Sequence, residues 1–75
     1  MREGKKEGKF EMVGTVVAEL GHYFFKVQLA ENGHLVTAKP SGKMIINSIR
    51  TNVGDECLVE MDVMDINRGR IIRRL

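Results

Sequence analysis

Seventy-five residues with a hydrophobic fraction of 43% make one small domain, near the lower limit for a self-sufficient core and too short for a cleft between domains. The lone Cys57 cannot close an internal disulfide, which fits a reducing compartment. No apolar run approaches the ~20 residues that cross a bilayer, and the charged N-terminus has no apolar segment behind it, unlike a secretory signal.

Residues 1–9 lack apolar anchors and read as a flexible tail; the folded domain is expected over 10–75. From Phe10 to Leu20 the even positions Phe10, Met12, Gly14, Val16, Ala18 and Leu20 alternate with Glu11, Thr15 and Glu19, the period of a half-buried strand. Gly14 within it predicts a bend or bulge. Gly21 turns the chain. His22 to Ala30 then forms a second strand with Tyr23, Phe25, Val27 and Leu29 inward, leaving Phe24 on the polar face two residues from Lys26. That placement suits a base-stacking platform or packing beneath a loop.

Asn32-Gly33 is a hairpin turn, followed by a strand from Leu35 to Ala38 that Pro40 stops, since proline has no N–H for a ladder. Ser41 is a predicted helix N-cap. The link from Ser41 to Ile49 places Met44, Ile45 and Ile49 toward one end of the fold and Lys43, Asn47 and Arg50 outward. No acid occurs between Gly33 and Asn52. Val53-Gly54-Asp55 is a turn. A fourth strand runs from Glu56 to Asp65 with Cys57, Val59, Met61 and Val63 inward, a turn follows at Ile66–Gly69, and Arg70 to Leu75 forms the last strand.

Five short strands with a helical link between the third and fourth predict an all-β, five-stranded OB-fold barrel. An SH3-like barrel is the structural competitor, and the position of the link favours the OB-fold.

Catalytic and metal chemistry is not visible. Two histidines and one cysteine have no zinc spacing. Ser41-Gly42-Lys43 fails the spacing of a phosphate loop, because the glycine five residues before Gly42 is missing. Cys57 lies on an inward face, where a structural thiol is the expected reading. The chain is therefore not expected to be an enzyme or to carry a cofactor.

What the sequence does contain is segregated charge beneath a net +2. Val53 to Asp65 holds five acids and no base; Ile66 to Leu75 holds four arginines and no acid. This predicts a positive field over one face, although arginines can also merely keep a terminal strand soluble. With Lys26, Lys39, Lys43 and Arg50 the basic residues form a surface able to grip phosphate. Few aromatics are free, so docking onto pre-folded RNA fits better than reading single strands.

The stretches 10–16, 25–29 and 31–38, the block Ser41-Gly42-Lys43-Met44, Asn47 with Ile49-Arg50, Val53-Gly54-Asp55 and residues 69–73 closely resemble bacterial translation initiation factor one, in register from Phe10 to the C-terminus. The resemblance implies an S1-like OB-fold that binds the small ribosomal subunit at the decoding site. It would contact 16S-type rRNA and a neighbouring ribosomal protein, block premature elongator tRNA and support the other two initiation factors. It implies a cytoplasmic (or organellar) monomer without membrane association. Carried over by position, it places Ser41, Gly42, Lys43, Met44, Asn47, Arg50, Arg68, Arg70 and Arg73 at the RNA; Lys39 adds a cation beside them, and Phe24, from its place on the polar face, is a possible stacking residue. Ile45, Ile46 and Ser48 stand where many members have basic and aromatic residues, and Lys39-Pro40 replaces a histidine and an aliphatic residue. A general RNA-melting barrel of the cold-shock kind and a protein-interaction barrel meeting acidic partners are the alternatives.

Overall fold

A computed structural model describes residues 8–75. In chain order it comprises β1 (Lys9–Gly21), β2 (Phe24–Leu29), β3 (Leu35–Pro40), α1 (Gly42–Ile46), β4 (Glu56–Asp62) and β5 (Asp65–Arg74). The strands close a barrel in the order β1-β2-β3-β5-β4. All neighbours are antiparallel except β3 and β5, whose parallel pairing closes the sheet. Closure leaves no free edge, which matters for a chain too short to cover one.

The inward residues of the alternating strands supply the core: Val16, Phe25, Val27, Leu29, Val36, Ala38, Cys57, Val59, Met61 and Ile71, with Met44 from α1. Phe10 and Met12 pack against it from partly buried positions. Of the expected tail, 1–9, residues 1–7 lie outside the described residues. Lys9, assigned to that tail, instead opens β1, stands opposite Asp62 and bonds its carboxylate at 2.9 Å.

Strand β1 pairs with β4 through Lys9–Thr15 and with β2 through Gly14–Gly21. Gly14 is shared by both ladders, opposite Leu29 and Cys57. A Cβ there would lie 2.6 Å from Val27 Cγ1 and 2.9 Å from the Gln28 carbonyl oxygen, so the glycine admits close approach of β2. The register breaks come later, between Val16 and Ala18 and between Glu19 and Gly21, which rotates Leu20 to a half-exposed position despite its even number.

His22 and Tyr23, expected in β2, form the two-residue hairpin turn instead. Their φ angles of 54° and 66° have the signs of a type I′ connection, the turn whose twist suits a hairpin. Tyr23 is consequently 67% exposed rather than in the core. The second hairpin turns at Gly33, φ 73°, but through a four-residue loop, 30–33, rather than a two-residue Asn32-Gly33 turn: the Leu29 N–H donates to the His34 carbonyl at 2.8 Å, the Gly33 N–H to the Leu29 carbonyl at 2.9 Å, and the His34 N–H to Asn32 Oδ1 at 3.0 Å.

β3 extends to Pro40, two residues beyond the expected end. Pro40 stands opposite Ile71, and the Ser41 N–H donates to the Ile71 carbonyl at 2.8 Å. The helix after it has only five residues. Ser41 Oγ accepts from the Met44 N–H at 3.2 Å, as a predicted N-cap should. At the other end Ile49 N–H reaches Met44 O and Ser48 N–H reaches Ile45 O, with Ser48 at φ 58°. This is the Schellman pattern, with serine at the position glycine prefers. So short a helix turns one side chain inward: Met44 is buried, while Ile45 and Ile49, also expected inward, are 50% and 40% exposed.

The β4–β5 turn is also displaced from expectation. It lies at Val63–Met64, so Val63 is exposed and Ile66–Gly69 belongs to β5. Aspartates make the turn, with Asp62 Oδ1 accepting from Met64 N–H at 2.9 Å and Asp65 Oδ1 from Asn67 N–H at 3.2 Å. Between Asp62↔Asp65 and Met61↔Gly69 the β5 register slips by three residues, and there Arg68 stands opposite Thr37 of β3.

Candidate nucleic-acid interface

Alternation in β2, β3 and β5 sends Phe25, Val27, Val36, Ala38, Gly69 and Ile71 inward and their neighbours outward. Register then assembles the outer face in rows. Lys26, Thr37 and Arg68 form one row, and Lys39 and Arg70 stand opposite each other in the next. Phe24, one residue beyond the Phe25–Ala38 pair, lies under Lys39, whose Nζ is 5.5 Å from the ring centroid. Three strands thus bring one aromatic and four cations onto one surface. The Lys39–Phe24 contact, worth ~0.5–1 kcal/mol at an exposed site, fixes the ammonium and covers part of a ring that is 39% exposed. Phe24 therefore packs with a cation.

Arg70 is not free. Its Nη2 lies 2.7 Å from Glu60 Oε1, directly across the β4–β5 ladder. The acidic and basic stretches of sequence occupy adjacent antiparallel strands, so part of the expected positive field is neutralised by pairing. Beside this pair, Lys9, Glu60, Asp62, Asp65, Arg68 and Arg70 line a shallow depression of about 330 Å³, where three carboxylates meet three cations.

The remaining predicted site residues fall elsewhere. Gly42, Lys43, Asn47 and Arg50 are exposed on the helical link. Arg73 is exposed near the end of β5, opposite Leu58. Arg74 Nη1 donates to the Arg50 carbonyl at 3.3 Å, tying the C-terminus to the link. Two predicted contact residues are buried: Ser41 is 7% exposed with its hydroxyl engaged as the helix cap, and Met44 is 2% exposed in the core. Their side chains hold the loop in shape. Tyr23, Phe25, Pro40, Ile45, Ile49 and Arg50 help line a groove of about 390 Å³ between the first hairpin and the link. Glu60 is the feature that sequence reasoning missed, because its opposition to Arg70 depends on the three-residue slip after the turn.

His34 and Cys57 both serve the fold. His34 Nε2 lies 3.0 Å from the Ile66 carbonyl and 3.1 Å from Asn67 Oδ1, joining the second hairpin to β5. Burial, reinforced by the Asp55 charge, pushes the Cys57 thiol up to about 11, so almost no reactive thiolate exists near neutrality. Among the described residues, no three His, Cys, Asp or Glu side chains gather as a metal site, and no helix is long and apolar enough to cross a membrane.

A closed five-stranded barrel with one short helix between β3 and β4 and a cationic outer sheet defines the chain as an OB-fold protein. A sequence model of the family described as "Translation initiation factor 1A / IF-1" matches residues 2–75, and the chain belongs to that family. It is similar to the solution structure of translation initiation factor one from the Wolbachia endosymbiont strain TRS of Brugia malayi, at 41% identity and TM-score 0.76, covering 99% of this chain and 86% of that one. Two further likenesses concern the fold alone. YjeQ from Thermotoga maritima matches at 24% identity and TM-score 0.72, over 88% of this chain and 23% of that one. Eukaryotic translation initiation factor 5A from Methanococcus jannaschii matches at 13% identity and TM-score 0.64, over 89% and 44%. The family is one of translation initiation factors, and membership implies association with the ribosome.

Proposed function

We propose that this chain binds the small ribosomal subunit at the decoding site through ribosomal RNA, blocks premature entry of elongator tRNA and supports the other two initiation factors. It works as a monomer in the compartment where translation runs, by occupancy and without bond-making chemistry. Family membership supports the ribosomal setting. The observation that carries the RNA reading is the convergence of Lys26, Lys39, Arg68 and Arg70 beside Phe24 on one face of β2, β3 and β5, next to a link whose Gly42, Lys43, Asn47 and Arg50 are exposed. Lysine and arginine on a rigid sheet suit phosphates held at fixed spacing by folded RNA. One partly covered aromatic is poor equipment for stacking successive bases.

Purified small subunits and the full chain, sedimented together at low salt, test the proposal. Stoichiometric co-sedimentation is expected, and the Lys43→Ala/Arg70→Ala double variant should bind at least ~10-fold more weakly. Undiminished binding by that variant removes both residues from the interface; absence of binding by the wild type overturns the assignment.

A further inference from the structure

The outer sheet carries a carboxylate where an RNA-binding barrel would be expected to keep only cations. Glu60 lies on β4 with its side chain 18% exposed, holding Arg70 at 2.7 Å. On its other side Arg70 faces Lys39 across the parallel ladder, and Lys39 rests over Phe24. Each of these adjacent cations is thus engaged within the protein: one by a ring, the other by a carboxylate. Next to them the depression lined by Lys9, Glu60, Asp62, Asp65, Arg68 and Arg70 balances positive and negative charge, and Lys9 is itself paired with Asp62. A strand of phosphates laid across β3 and β5 would run into that neutralised ground.

We propose that Glu60 is a specificity-determining residue that keeps the outer sheet from binding unstructured single-stranded RNA. The inference rests on the RNA-binding reading above. Specificity can come from penalising the wrong partner as well as from gripping the right one. A flexible single strand offers little beyond its run of phosphates and must take Arg70 from Glu60 to gain a grip on this part of the sheet. Folded RNA presents its phosphates from a fixed surface, meets Arg70 as Glu60 holds it, and cannot shift a phosphate to follow a freed guanidinium as a flexible strand can. Glu60 costs the flexible strand more.

The test compares the wild type with Glu60→Gln, an isosteric change that removes the charge. The probes are a fluorescent oligouridine of about twelve nucleotides, within the span an OB-fold barrel accommodates, and purified small subunits, each titrated at two salt concentrations. Glu60→Gln should bind the oligonucleotide at least ~5-fold more tightly. Its salt dependence should steepen by about 0.7 in log–log slope as one further phosphate is engaged. The preference for subunits over oligonucleotide should fall at least ~3-fold. In Glu60→Gln/Arg70→Met the gain should vanish, since it works through the released guanidinium. Unchanged or weaker oligonucleotide binding by Glu60→Gln, with its thermal midpoint preserved, overturns the inference, as does a gain that survives loss of Arg70. Wild-type failure to bind subunits strikes the functional proposal instead, and the oligonucleotide comparison is read independently of it.

Discussion

Gly14 and Gly69 occupy places where a narrow barrel has no room for a Cβ. At Gly69 the added atom would lie 2.6 Å from Val59 Cγ1, 3.0 Å from Met61 Sδ and 3.1 Å from the Glu60 carbonyl oxygen. At Gly14 the obstruction includes the Gln28 backbone, which cannot swing aside like a side-chain tip. Gly14→Ala should therefore cost about 2 kcal/mol through overpacking, lowering the thermal midpoint by roughly 10 °C; a shift below about 2 °C would mean that the strands spread without cost. Asp62 provides a pH-dependent test. The Met64 N–H, followed by the Lys9 ammonium, holds its carboxyl below the ordinary aspartate value. A depressed folded-state value means stabilisation present above the ordinary value and lost as pH falls through the folded one. As pH falls below the ordinary aspartate value of ~4, the wild type should lose more thermal stability than Asp62→Asn. Superimposable midpoint–pH curves would refute that contribution.

Among the elements, α1 depends most on its ends. Five residues cannot sustain a helix by propensity, so the Ser41 cap, the Schellman closure and the burial of Met44 hold it. Ser41→Ala should destabilise the domain by about 1 kcal/mol and speed amide exchange across 44–49 before it affects the sheet. Ser48 sits at φ 58°, where a Cβ is a liability. Ser48→Gly should stabilise by about 0.5 kcal/mol in denaturant melts; a loss of stability would show that the serine side chain does something more than tolerate its backbone. The helix boundaries were legible in part. Ser41 announced the start, but hydrophobic spacing could not choose among Met44, Ile45 and Ile49, because one turn of helix offers only one inward position.

For the molecule as a whole, the parallel β3–β5 pairing assembles the candidate interface. It brings Arg68 and Arg70 of the arginine-rich β5 beside Thr37 and Lys39, residues about thirty apart in sequence, and so joins that charge to the single lysines of β2 and β3. If that sheet and the link contact phosphates together, log affinity for small subunits should fall linearly with log salt, with a slope magnitude on the order of 3 or more. A slope near zero would point to protein contacts and to the alternative of an interaction barrel with acidic partners. Comparable affinity for a generic oligonucleotide would favour the RNA-melting alternative.

The amino-acid order alone determined the number of strands, the inward sets Phe25/Val27/Leu29 and Cys57/Val59/Met61, the hairpin turning at Gly33, the helix cap and the family resemblance, since each depends on local periodicity, turn chemistry or matched motifs. Only the tertiary structure decided that His22-Tyr23 and Val63-Met64 are the tight turns, that Ser41 and Met44 are buried, and that Glu60 faces Arg70. Register slips have no sequence periodicity, and one displaced turn changes every cross-strand partner after it. The charge of a stretch is written in its residues; whether that charge reaches a ligand depends on which strand lies beside it.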